Sequence, residues 1–176
     1  LAKSMGLTAS QIRQDLSCFG GFGQQGYGYN VERLRAEVAD ILGMNRDHTM
    51  AILGAGNLGR ALMENFPFSS NGFRLVAAFD VDPNLVGREL SGTPVYHVDT
   101  LEEYLKSSPV SVCVLTVPAG VAEPTARRVA RCGVTGIWNF TNVELPQQDM
   151  PNVQIEDVHF ADSLLTLSYM ISEEEP

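Results

Sequence analysis

Cysteine is scarce in this chain. Three thiols in 176 residues, Cys18, Cys113 and Cys132, cannot supply a disulfide framework or a four-ligand zinc site. No apolar run approaches the ~18 residues of a membrane span, and no signal-peptide pattern opens the sequence. A reducing, cytoplasmic setting without membrane or metal is the expectation. Basic residues are also few: 12 Lys and Arg stand against 21 Asp and Glu, for a net charge of −9. That deficit weighs against nucleic acid, because phosphate binding runs on Lys and Arg. The distribution changes the picture. Residues 1–48 hold five basic and five acidic side chains, while residues 49–176 hold 7 and 16 and carry the whole net charge. The two parts differ in electrostatics, with a boundary near His48. With 44% hydrophobic and 19% charged residues, the composition supports a packed core and excludes global disorder.

From residue 49 onward, strand-like and helix-like segments alternate. Thr49 to Leu53 is an apolar run ending in glycine, and Leu58 to Phe66 fits a helix stopped by Pro67. Phe73 to Phe79 ends at Asp80, and Pro94 to Val98 is a third short strand. Asp99 or Thr100 can cap a helix through Lys106. Val110 to Val117 is β-branched and continuous, as a strand buried on both faces should be. A helix over Glu123 to Arg131 and a strand over Thr135 to Phe140 follow. The alternation predicts an α/β fold with a doubly wound parallel sheet. Phe160 to Ile171 is apolar over most of a helix surface, so it should be buried on two sides, one of them against a second subunit. The division is 1–48, 49–158 and 159–176, with the tail from Ser172 frayed.

Residues 1–48 read differently. Leu1 to Met5 looks like the end of a helix closed by Gly6. Thr8 or Ser10 can cap a second helix through Ser17, with Ile12 and Leu16 facing inward. The short glycine-containing link between the two has helix-turn-helix spacing. Residues 19–29, FGGFGQQGYGY, suit a tight β-hairpin, and Val31 to Leu42 forms a third helix. The second helix of such a motif enters the major groove. Its polar groups are Thr8, Ser10, Gln11, Arg13 and Gln14, with Gln24 and Gln25 at the hairpin tip. Side chains of these types contact bases or phosphates. A dimerisation or lid element fits the spacing equally well.

The strongest motif is Gly54-Ala55-Gly56-Asn57-Leu58-Gly59, which follows a strand and opens a helix. Gly54 allows a tight turn, Gly56 allows backbone approach to a pyrophosphate, and Gly59 allows close helix packing. The diphosphate then rests on free N–H groups at the helix N-terminus. Asp80 ends the next strand, 21 residues after Gly59, where a carboxylate accepts from the adenosine ribose hydroxyls and disfavours NADP. Asp82 is its rival. Thr116, Val117 and Pro118, with Asn139, end later strands and reach toward the nicotinamide half. General acid-base candidates are poor. None of His48, His97 and His159 shows a substrate-binding Arg beside it, and Cys113 reads as a small core residue. A cofactor site without catalytic residues points to sensing the cofactor rather than using it.

The string Ser10-Gln11-Ile12-Arg13-Gln14-Asp15-Leu16-Ser17, then Phe19-Gly20, Phe22-Gly23, Gly26 and Gly28-Tyr29-Asn30-Val31, resembles the winged-helix signature of the Rex family of bacterial redox-sensing transcriptional repressors. The second part agrees: GAGNLG, Phe79-Asp80-Val81-Asp82-Pro83, Leu115-Thr116-Val117-Pro118, Asn139-Phe140 and a Leu-rich closing helix. The resemblance implies a homodimer of winged-helix and Rossmann domains with the C-terminal helix exchanged between subunits. It implies operator DNA as partner, NADH and NAD⁺ as ligands, no enzymatic turnover, and Phe160 of one subunit near the other's nicotinamide. It also implies that NADH binding closes the Rossmann domains and draws the recognition helices from their half-sites. The family's first helix has no counterpart before Leu1, so the winged-helix domain is expected to be truncated. Family members carry basic residues where Gln14, Gln24 and Gln25 stand, and an acidic one where His159 stands. Two alternatives remain on the residues alone: a small NAD-dependent oxidoreductase, and a CoA- or nucleotide-binding module.

Overall fold

The computed structural model describes residues 2–17, 23–24 and 28–172, which form two compact units, Leu1–Arg46 and Asp47–Pro176. In the first unit, a single 3-10 turn over Lys3–Met5 is closed by Gly6, whose φ of 67° is left-handed. Helix α1 (Ala9–Ser17) follows. Thr8 is its cap. The Thr8 hydroxyl accepts from the Gln11 N–H (3.2 Å), and the Gln11 side-chain oxygen accepts from the Thr8 N–H (2.9 Å). This reciprocal pair satisfies two otherwise orphaned donors. Strands β1 (Gly23–Gln24) and β2 (Gly28–Tyr29) pair antiparallel, Gly23 opposite Tyr29. Helix α2 (Val31–Ile41) begins at Asn30, whose side chain accepts from the Arg33 N–H at 2.9 Å. Ile12 and Leu16 are half-buried, and no described residue of this unit is fully buried.

The second unit is built on a sheet of seven strands: β3 (His48–Leu53), β4 (Phe73–Asp80), β5 (Glu89–Leu90), β6 (Thr93–His97), β7 (Val112–Leu115), β8 (Gly136–Asn139) and β9 (Gln154–Asp157). The order is β5-β6-β4-β3-β7-β8-β9, parallel throughout except for the antiparallel β5 at one edge. From β3 the chain first winds outward through β4 and β6, then returns to β7, β8 and β9 on the other side. That reversal of direction puts the ligand crevice of a doubly wound sheet between the carboxyl ends of β3 and β7.

Alternation along the strands sorts the core onto two faces. Ala51, Leu53, Phe79, Cys113, Leu115 and Ile137 face helices α4 (Leu101–Ser107) and α5 (Ala119–Arg131). Met50, Ile52, Ala78 and Val114 face helix α3 (Asn57–Asn65). Helix α6 (Phe160–Ser172) closes the described chain.

Several elements differ from expectation. Helix α5 starts at Ala119, not Glu123, because Pro124 near its start removes only the bond to Gly120. Strands β5 and β9 have no signature in sequence. Of the two expected caps of α4, Thr100 holds the position and Asp99 does not; Asp99 lies in the preceding 3-10 turn, Val98–Thr100, capped by the His97 ring, which accepts from the Asp99 N–H at 3.2 Å. Finally, α6 was expected to be covered on two sides, yet it buries none of its residues within this chain.

Candidate functional site

The glycine bend lies where β3 meets α3, and its three glycines are needed for different reasons. Gly54 has φ of 98°, and a Cβ there would sit 2.7 Å from the Thr116 carbonyl oxygen. A Cβ on Gly59 would run into the Gly54 carbonyl oxygen. Both are therefore demanded by packing. Gly56 is not: its φ of −68° suits any residue, and nothing lies within 4 Å of a Cβ built on it. The missing side chain leaves open access to the α3 N-terminus, whose cap makes no side-chain hydrogen bond and whose first turn holds no acidic residue. This is the environment an anion finds favourable.

Asp80 closes the bend from β4. Its Oδ2 accepts from the Ala55 N–H (2.6 Å), and its Oδ1 accepts from the N–H groups of Val81 (2.7 Å) and Asp82 (2.9 Å). A carboxylate offers about four acceptor positions, so a further hydroxyl can be taken. The rival Asp82 lies in the following turn, accepting from the Asn84 N–H and side-chain amide, each at 2.8 Å, while Asp80 is the carboxylate that lines the cleft.

Beside Asp80 is a cleft of about 330 Å³ lined by Val81, Val98, Val117, Val121 and the Arg128 guanidinium. Arg128 is held by a bidentate pair to Glu102 (2.5 and 2.7 Å) and by the Val98 carbonyl (3.1 Å). The guanidinium bond holds the Glu102 carboxyl well below its ordinary value, at about 2. Apolar walls with a few fixed polar groups are the usual lining of a site for a flat heteroaromatic ligand.

Thr116, Val117 and Pro118 follow β7 directly. The Thr116 hydroxyl donates to the Gly54 carbonyl at 2.7 Å, and the α5 N-terminus opens at Ala119. Asn139 ends β8 with its side chain fully engaged. The amide donates to the Val143 carbonyl (2.8 Å) and Asp157 Oδ1 (2.6 Å), while its oxygen accepts from the Thr141 N–H (3.1 Å) and hydroxyl (2.6 Å). Phe160 stands at the root of α6, its ring 6.0 Å from that of Phe140. Gly54, Asp80, Val117 and Pro118 thus line one cleft, with Thr116 bonded to Gly54, while Asn139 and Phe160 lie farther along the same carboxyl edge. No cluster of three metal-ligating side chains exists among the described residues. His48 stacks on Phe73 at 5.5 Å, His97 serves as a cap, and His159 is exposed.

In the first unit, Ser10, Arg13 and Gln14 fall on one exposed face of α1, at helical spacing and opposite Ile12 and Leu16. Thr8 and Gln11 are bonded to one another in the cap. Gln24 enters through its strand backbone alone, and Gln25 lies outside the described residues.

The sequence family described as CoA binding domain matches residues 45–143. A redox-sensing transcriptional repressor Rex of Clostridium tetani is 46% identical over 175 residues, covering 99% of this chain and 82% of the relative. The crystal structure of RSP in complex with β-NAD⁺ and operator DNA superposes with a TM-score of 0.89 at 44% identity, covering 99% of this chain and 79% of that one. RSP in complex with β-NADH gives 0.86 at 41% identity, covering 99% and 80%.

The chain belongs to the Rex family.

Rex proteins are transcriptional repressors rather than enzymes. Part of the fold is shared with myo-inositol 2-dehydrogenase of Lactobacillus plantarum, at 17% identity and a TM-score of 0.51 over 64% of this chain and 36% of that one. In this Rex chain, sequence reasoning missed the Asp80–Ala55 bond, the Arg128–Glu102 pair and the Asn139–Asp157 bond. Each joins residues 18 to 26 positions apart, and no local spacing signals such a pair.

Proposed function

We propose that this Rex chain holds NAD(H) in the cleft at the carboxyl ends of β3, β4 and β7, binds operator DNA through its first unit, and releases that DNA when the reduced form is held. The observation that carries this reading is Gly56, a glycine the fold does not need at the one place where a diphosphate would approach. Backbone N–H groups of residues 56–59 would hold the diphosphate. The Asp80 carboxylate would accept from an adenosine ribose hydroxyl, and Val81, Val98 and Val121 would wall the adenine. Thr116, Val117, Pro118 and the Asn139 backbone would face the nicotinamide half, with Phe160 brought from a second subunit. The dinucleotide supplies no reaction here, only a difference in charge between its two redox forms. An apolar wall such as Phe160 favours the neutral, reduced ring.

Residues 1–48 would be the DNA-binding part, with Ser10, Arg13 and Gln14 presented by α1, Thr8 and Gln11 framing its start, and Gln24 and Gln25 on the hairpin. Residues 49–158 would bind the dinucleotide, and 159–176 would join two copies. Large apolar side chains of α6, among them Leu164, Leu165 and Tyr169, are more than half exposed. A groove of about 400 Å³ on the sheet, lined by Met50, Phe66, Phe68 and Trp138, offers matching apolar surface. Seating one subunit's α6 on the other's groove removes both from water. The cytoplasm is the setting such a repressor requires. No helix among the described residues is long and apolar enough to cross a membrane.

The deciding experiment is operator binding at varied NADH/NAD⁺ ratio. NADH should weaken it and NAD⁺ should weaken it less; equal effects would refute the reading. A second reading follows from the CoA binding domain match. The Asp80 carboxylate disfavours a phosphorylated ribose, so calorimetric titration should show heat with NADH and little with CoA.

A further inference from the structure

Helix α6 is 13 residues long and buries none of them in its own unit, so its direction is set at its root. Three ties hold that root. The Val158 N–H donates to the Asn139 carbonyl at 2.8 Å, the Phe160 ring meets Phe140, and the Asn139 amide donates to Asp157 Oδ1 at 2.6 Å. Two of the three run through Asn139, which is 2% exposed. The same side chain closes the turn after β8 through Thr141 and Val143, where Asn142 is held at a left-handed φ of 54°. This knot lies on the sheet edge that also carries the glycine bend. At ~1.5 Å per residue, 13 residues make a lever of ~20 Å, so a ~10° turn at the root carries the far end ~3 Å.

We propose that Asn139 and Asp157 are positioning residues that aim α6, and so transmit occupancy of the dinucleotide cleft to the second subunit. The inference rests on the Rex reading given above. Asn139 is not a polar contact of the ligand, because both amide hydrogens and both acceptor positions of its side chain are already used. Asp157 supplies the side-chain hydrogen bond of the knot that links the β8 turn to the strand leading into α6, beside the backbone bond from Val158. Loss of that bond leaves the Asn139 donor unpaired and loosens the root, which keeps only the Val158 backbone bond and the Phe160–Phe140 contact, without touching the glycine bend.

The test compares the full chain with Asp157→Ala and Asp157→Asn. Three quantities are read: dimer mass by sedimentation, the Kd for NADH, and the ratio of operator Kd with and without saturating NADH. The alanine variant should stay dimeric and bind NADH within about threefold of the parent, while the operator ratio falls about tenfold or more. The asparagine variant keeps an oxygen acceptor and should restore the ratio to within about threefold. An unchanged ratio in the alanine variant overturns the proposal. So does a tenfold loss of NADH affinity there, which would make Asp157 a ligand contact. Failure of asparagine to restore the ratio also overturns it, because charge rather than the bond would then be at work. Should the alanine variant not fold, Thr141→Val removes one donor to Asn139 and takes its place, with a lowered ratio expected and an unchanged one counting against the proposal. A parent protein whose operator affinity ignores NADH defeats the Rex reading itself, which is a separate failure.

Discussion

The backbone N–H of Ala55 donates to Oδ2 of Asp80 at 2.6 Å, across 25 positions of sequence. The carboxylate that would meet the ribose therefore also fixes the bend that would meet the diphosphate. Replacing Asp80 by Ala should weaken NADH binding by about 1–3 kcal/mol, the scale of lost bonds to a charged acceptor. The Ala55 amide should lose hydrogen-exchange protection in the same variant. Asp80→Asn keeps an acceptor and should retain most of that protection. Equal NADH affinity in parent and alanine variant would remove Asp80 from the site.

Gly56→Ala and Gly59→Ala separate ligand approach from packing. The first should leave thermal stability near the parent's and abolish dinucleotide binding, since only the open side of the bend is filled. The second forces a methyl against the Gly54 carbonyl and should cost roughly 1–3 kcal/mol or prevent folding. Melting curves with and without NADH distinguish the two patterns. Ligand-induced stabilisation should survive in neither variant.

These pairs mark the limit of what the sequence discloses. Strand β7 and the bend are legible because β-branched continuity and glycine spacing are local properties. The Thr8 cap is legible because its partner, Gln11, is three positions away. Strand β9, residues Gln154–Asp157, is not, since it is four residues long, sits at the sheet edge and carries polar residues at three positions. The α5 start at Ala119 is not legible because Gly120 and Pro124, both poor helix formers, lie within its first two turns. The place of Asn139 at a strand end is legible, whereas the commitment of its side chain to Asp157 is a tertiary fact.

Acid should loosen the adenine side of the cleft. Glu102 is held at about 2 in the folded protein against an ordinary value of 4.5. A depressed carboxyl contributes stability that is present above the unfolded value and lost as pH falls from 4.5 toward 2. Both partners are about one-third exposed, so screening limits the pair to ~1 kcal/mol. Glu102→Gln should therefore lower stability at neutral pH and flatten its fall over that interval, as read by denaturant midpoints at stepped pH.

Thiol labelling should resolve Cys113 from Cys132. Cys113 is fully buried, and burial pushes its thiol far above the ordinary range, with nearby Cys132 adding to the shift. Cys132 is only half-buried. A maleimide should modify Cys132 in the native protein and reach Cys113 only on unfolding. Modification of Cys113 at native rates would contradict the burial.

Leu164→Glu places a charge on the apolar face of α6, where Leu164 is 67% exposed within its own chain. Sedimentation of the parent should give a particle of twice 19.2 kDa, and of the variant a monomer. A variant that stays dimeric would move the interface elsewhere.

A helix with no burial at home has a genetic consequence. In the proposed dimer, each subunit completes its neighbour, so parent and altered copies expressed together will assemble with one another. A subunit unable to grip DNA but carrying an intact α6 would poison its parent-type mate, and the defect would behave as dominant. The strength of that dominance would follow expression level, because pairing is governed by mass action.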